Sequence, residues 1–159
     1  MHAWRASLQR SAPILQCLIA RNGADGSKIG MITSEGGSIG LRTEKEGGGN
    51  YGHHMSKCAQ NMMGKLMAFD LKPKGIPVVN IHPGFIKTSM TEAFGQEMYD
   101  KYGAIEPSKA APGIIQAVQR ATLEHTGAFV APQGTDSLGF GVEGLEHPEK
   151  VGHFDQLPW

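Results

Sequence analysis

The sequence predicts an α/β fold in which three parallel strands alternate with helices. Two observations predict it. Residues 28–34 (KIGMITS), 76–81 (IPVVNI) and 127–131 (GAFVA) are short, mostly apolar runs, the pattern of strands buried on both faces. Each is preceded by a segment with helical periodicity or a helix-opening residue, so helix then strand repeats three times, the alternation of a sheet with right-handed crossovers.

In order along the chain, the first helix is expected over residues 3–21, with Trp4, Leu8, Leu15 and Leu18 near one face and Asn22-Gly23 as its stop. After the strand at 28–34 comes a glycine-rich loop. Gly36, Gly37 and Gly40, then Gly47, Gly48 and Gly49, bracket the charged patch 42–46. No GxGxxG turn opens a helix directly after a strand. Residues 51–71 place Met55, Ala59, Met62, Met63, Leu66 and Phe69 at three- and four-residue steps, and Pro73 and Gly75 stop that helix. Such spacing of methionines signals core or interface packing. Beyond the 76–81 strand, Pro83-Gly84 breaks the chain, and residues 88–102 read as a mobile helical flap rich in Met, Phe and Tyr. Pro107 opens a last helix, 108–124. Residues 132–159 are Gly- and Pro-rich and read mostly as loop.

Composition narrows the classes. The 15 basic and 15 acidic side chains cancel, which leaves no electrostatic footprint for a polyanion and argues against nucleic-acid binding. Cys17 and Cys58 are too few and too far apart for a disulfide framework, so a reduced, cytoplasmic setting is expected. No apolar run approaches a membrane span. Residues 1–24 hold Arg5, Arg10 and Arg21 and no acid, which leaves an organellar presequence as the alternative.

The chemistry-bearing residues follow the strands, where parallel α/β sheets bind ligands. Ser34 ends the first strand, and its hydroxyl suits a hydrogen bond to a substrate oxygen. His53 and Lys57 are four apart at the start of the 51–71 helix and so share a face. A cation beside an imidazole disfavours the imidazolium, leaving a neutral ring able to accept a proton near neutral pH. Proton carrier, cation and hydroxyl around one oxygen suit carbonyl–alcohol interconversion. The bland reading of the pair is a solvated helix face. The histidines show no metal-ligand spacing, and no metal is expected.

Three strings taken together resemble the short-chain dehydrogenase/reductase family over about residues 13–132. They are Tyr51-Gly-His-His-Met-Ser-Lys57-Cys-Ala-Gln-Asn61, Asp70-Leu-Lys-Pro-Lys-Gly75-Ile-Pro-Val-Val and Ile81-His-Pro-Gly-Phe-Ile-Lys-Thr88. The resemblance implies a partial Rossmann-like, doubly wound parallel sheet and an NAD or NADP cofactor. It implies that Lys57 holds the nicotinamide ribose and lowers its partner's pKa, that Ser34 polarises the substrate carbonyl, and that Pro83, Gly84, Ile86 and Thr88 close on the nicotinamide. Residues after Thr88 fall where the family has its substrate-gating flap. The family's catalytic tyrosine falls on His53, whereas Tyr51, six before Lys57, points about 120° away from it on a helix of about 100° per residue. The family's asparagine falls on Gln9.

The same resemblance implies that the dinucleotide-binding half, roughly a hundred residues at about 30 per β–α–β unit, is missing. Residues 1–134 are then the C-terminal portion of the Rossmann domain and 135–159 a tail. Half a sheet should leave a long unpaired strand edge. The function implied is a truncated NAD(P)-dependent oxidoreductase acting on a small carbonyl or alcohol. The alternative is a non-catalytic relative or interaction module that forms a homo-oligomer through helices 3–21 and 51–70, as the family often does.

Overall fold

The computed structural model describes the backbone of residues 17–22 and, in full, residues 26–139, 145 and 156–159. Four strands form one sheet in the order β1 (Cys17–Asn22), β2 (Gly26–Ile32), β3 (Val78–Ile81), β4 (Phe129–Val130). β2, β3 and β4 are parallel, with Ile29 opposite Val78 and Asn80 opposite Phe129. These are the three strands expected from the apolar runs.

β1 is a correction. Residues 17–21 were expected to end a helix, and instead they run antiparallel to β2, Cys17 opposite Met31 and Asn22 opposite Gly26. A short apolar run such as CLIA fits either state, and strand pairing decided it. The rest of that expected helix, with Gln9, lies outside the described residues. β1 also covers the edge of β2 that was expected to be bare.

α1 (Tyr51–Leu71) and α3 (Pro107–Arg120) take opposite faces of the sheet, with the short α2 (Gly95–Lys101) between them in sequence. Alternation along β3 sorts its side chains between the two. Val79 and Ile81 join Ala110, Ile114, Ala117 and Val118 of α3 in one core, and Val78 joins Met31 and Ala68 of α1 in the other. Lys28 reaches across to donate to the Gln119 carbonyl at 2.5 Å, a cation on the C-terminal turn of α3 where the helix dipole favours it. α3 stops at Arg120, four residues short of the expected end, where Thr122 and His125 close a turn. The expected flap helix is a 3-10 turn (Glu92–Phe94) followed by α2.

The end of the chain packs closely. Leu157 is fully buried with Phe129 and Leu138, Trp159 stacks on Phe129 with ring centroids 5.6 Å apart, and Ser38 Oγ donates to the Pro158 carbonyl at 2.7 Å. No helix among the described residues is long and apolar enough to cross a membrane.

Candidate active site

Parallel pairing brings the ends of β2 and β3 side by side, since the Thr33 N–H donates to the Ile81 carbonyl at 2.8 Å. The chain after β2 and the Pro83–Gly84 break therefore leave the same edge of the sheet. Ser34 caps a 3-10 turn, Glu35–Gly37, its hydroxyl accepting from the Gly36 N–H at 3.1 Å.

That turn lies flat on the start of α1. A Cβ on Gly36 would stand 3.2 Å from His53 Cε1, and one on Gly37 would stand 2.6 Å from the Lys57 carbonyl carbon. At Gly37 the contact is with backbone and leaves room for glycine alone, while a side chain at Gly36 would require the His53 ring to shift slightly. The expected site residues Ser34, His53 and Lys57 are thus gathered around one turn, and the Thr33 hydroxyl also donates to the Lys57 carbonyl at 3.4 Å. Tyr51, the first residue of α1, is exposed, and its hydroxyl lies against Gly48.

Electrostatics favour a neutral His53. Partial burial, His54, Lys57 and Arg42 all hold its pKa below the ordinary 6.5. Burial also lowers the Lys57 ammonium from 10.5. Lys57 Nζ donates to Gln60 Oε1 at 3.2 Å, and Gln60 Nε2 donates to the Ile32 carbonyl at 2.8 Å. Gln60 thus moors the lysine to the end of β2, a contact that helical spacing alone does not reveal.

The charged patch 42–46 proves to be a brace. Arg42 pairs with Glu35 and Glu46, and donates to the Ser38 and Glu35 carbonyls at 3.1 and 3.2 Å. His54 Nδ1 donates to the Asn50 carbonyl at 3.0 Å, so its Nε2 is free to accept from Arg42 at 3.2 Å. Burial pushes the Glu35 carboxyl above its usual 4.5, against the pull of Arg42.

On the other side, Gly84 has φ +90, a conformation that favours glycine, and its open face looks at Ser137 and Gln133. Ile86 bridges to Ile105, and Thr88 is exposed with its N–H donating to Thr91 Oγ1 at 2.9 Å. Thr91 in turn donates to the Ile86 carbonyl at 2.7 Å and meets the Tyr99 hydroxyl at 3.1 Å. Phe85 packs edge-on against Phe94 and Tyr99, which moors the flap to this segment.

Among the described residues, a nicotinamide cofactor finds fitting groups at its nicotinamide end. Lys57 offers an ammonium and Gly84 a backbone without a side chain. Gly47, Gly49 and Gly52 have GxGxxG spacing, but the run leaves a loop, not a strand, so it is not the turn that cradles a pyrophosphate.

Comparison with known proteins identifies the family. A family model described as short chain dehydrogenase fits residues 11–99. The 1-hydroxy-2-glutathionyl-2-methyl-3-butene dehydrogenase of Rhodococcus sp. (strain AD45) is 38% identical over 112 residues, 70% of this chain and 46% of that protein. Among solved structures, the NADPH-bound carbonyl reductase from chicken fatty liver superposes with a TM-score of 0.59 at 20% identity, over 84% of this chain and 43% of that one. The carbonyl reductase Sniffer of D. melanogaster gives 0.56 at 28% identity, over 70% and 41%. This chain therefore spans about half the length of the relatives it matches. With the family model covering more than half of its residues, the chain belongs to the short-chain dehydrogenase family.

Proposed function

We propose that this protein is the catalytic portion of an NAD(P)-dependent oxidoreductase that interconverts a carbonyl and an alcohol on a small substrate. The observation that carries the reading is the packing of the Ser34 turn across His53 and Lys57 at the ligand-binding edge of the sheet. Ser34 Oγ orients the substrate oxygen. His53 exchanges its proton, its ring held neutral by partial burial and by His54, Lys57 and Arg42, and Lys57 stands beside the nicotinamide ribose. Pro83, Gly84, Ile86 and Thr88 line the nicotinamide. When bound, the cofactor supplies or accepts the hydride.

A neutral imidazole gives this site a direction. It can take the proton of an alcohol directly, whereas donating to a developing alkoxide requires the imidazolium. Near neutral pH, His53 is therefore a better base for alcohol oxidation than an acid for carbonyl reduction.

The test is cofactor binding followed by turnover. Reduced NAD or NADP titrated into the protein is expected to show fluorescence enhancement, and small alcohols and ketones are expected to be turned over. No enhancement at about millimolar cofactor, the weak end of ordinary KM values, would rule out this chain as a dehydrogenase by itself.

A second reading is favoured by one feature. Tyr51, Met55, Met62, Leu66 and Phe69 form a stripe along the outer face of α1, each between 54% and 72% exposed. Contiguous apolar surface of this kind marks an association site. A non-catalytic module that pairs with a second copy through α1 would use it. The two readings are compatible in one molecule, and cofactor binding separates them.

A further inference from the structure

β3 delivers one more side chain to this region, and the reaction proposed above does not use it. His82 follows the strand directly, is 5% exposed, and lies between segments far apart in sequence. Its Nδ1 is 3.1 Å from the Glu35 backbone nitrogen, and its Nε2 is 2.7 Å from the Ser137 carbonyl oxygen. A backbone N–H can only donate and a carbonyl can only accept. The ring must therefore accept at Nδ1 and donate at Nε2, which is the neutral Nε2–H tautomer. Burial agrees, pushing the imidazole down to about 4.

The ring's own placement is firm. The His82 N–H donates to the Val130 carbonyl at 2.8 Å, extending the β3–β4 ladder by one step. On the far side, Glu35 follows Ser34 and opens the turn whose Gly36 N–H holds Ser34 Oγ. The imidazole thus links the turn that carries Ser34 to the 135–137 turn after β4.

We propose that His82 is a positioning residue: its neutral ring pins the Glu35 N–H and so sets the direction of Ser34 Oγ, with the Ser137 carbonyl as its anchor. Its bearing on turnover rests on Ser34 as the group that orients the substrate oxygen; the bridge itself does not.

Two variants separate the arms. In His82→Asn the side-chain oxygen can stand where Nδ1 stands and accept from Glu35, while the Ser137 arm is lost. In His82→Gln the amide reaches the place of Nε2 and keeps the Ser137 arm. Exchange of the Glu35 amide, followed by NMR, is expected to stay within about threefold of wild type in His82→Asn and to rise about tenfold or more in His82→Gln, the effect of losing one buried hydrogen bond. Turnover should fall in the same order, while KM for the cofactor changes less than about twofold, because Gln60 holds Lys57 independently.

Equal exchange in the two variants would overturn the proposal, as would undiminished kcat in an active His82→Gln protein. Imidazole nitrogen shifts showing a protonated Nδ1 in the wild type would overturn it even if neither variant folds. Exchange and tautomer need no turnover, so an inactive wild type would sink the functional reading while these two measurements still decide the bridge.

Discussion

α1 and α3 flank the same sheet and are built in opposite ways. α3 turns Ala110, Ile114, Ala117 and Val118 inward and is mostly polar outside, the usual arrangement of a helix on a sheet. α1 buries Gln60, Asn61, Gly64 and Ala68, and exposes Met55, Met62, Leu66 and Phe69. Asn61 and Asn80 are buried, and neither side-chain amide has a hydrogen-bond partner among the described residues, an arrangement that costs stability where it occurs. The difference teaches what each helix is for. α3 stabilises the sheet by apolar burial. α1 approaches the sheet closely at Gly64 and Ala68, packs Met63, Met67 and Leu71 beside them, and turns a second apolar face, Met55, Met62, Leu66 and Phe69, away from the fold.

Close approach is the feature of α1 most easily broken. A Cβ on Gly64 would stand 1.9 Å from Asn80 Oδ1, so one side must move. Gly64→Ala is expected to cost about 3 kcal/mol in urea unfolding, the upper range for overpacking. Because the Asn80 amide has no partner, adding Asn80→Ala should recover most of that loss, and a simple sum of the two single effects would show that the contact is not the cause.

The contrast between the two apolar faces can be sharpened with a smaller effect. Ile114→Ala in α3 should cost about 2 kcal/mol through the cavity it leaves. Met62→Lys, on the exposed stripe, should change the unfolding of dilute protein by less than about 0.5 kcal/mol. The same Met62→Lys should abolish any concentration-dependent association seen by analytical ultracentrifugation. Association that survives it would take the stripe on α1 out of the account.

Much of this was legible in the sequence, for reasons that differ by element. α1 begins and ends as expected because the three- and four-residue periodicity is long and Pro73 and Gly75 close it, Gly75 at φ +72. β3 was visible as a continuous apolar run. β1 was not, since four apolar residues carry no period that separates helix from strand. Periodicity also located α1 without saying which of its faces the sheet would cover. Around the site, Ser34, His53 and Lys57 could be named from their order along the chain and the family resemblance rather than from spacing alone, and their roles are part of the proposal. Gln60 and His82 could not, because their partners lie 28 and 47–55 residues away and are set by tertiary packing alone. A histidine at a strand end is an ordinary residue until something buries it against a donor on one side and an acceptor on the other.

The central claim is that His53, kept neutral, carries the proton. The most direct measurement is the pH dependence of NAD(P)-linked alcohol oxidation by the wild type, His53→Ala and Tyr51→Phe. In the proposed reaction the neutral ring is the active form for oxidation, and burial with the neighbouring His54, Lys57 and Arg42 holds its pKa below the ordinary 6.5. The wild-type rate should therefore be flat at pH 7 and above and fall only below 6.5 as the ring takes up a proton, with carbonyl reduction changing in the opposite sense. His53→Ala should lose about a hundredfold in kcat and this pH dependence with it, while Tyr51→Phe keeps both. An active His53→Ala beside an inactive Tyr51→Phe would contradict the account.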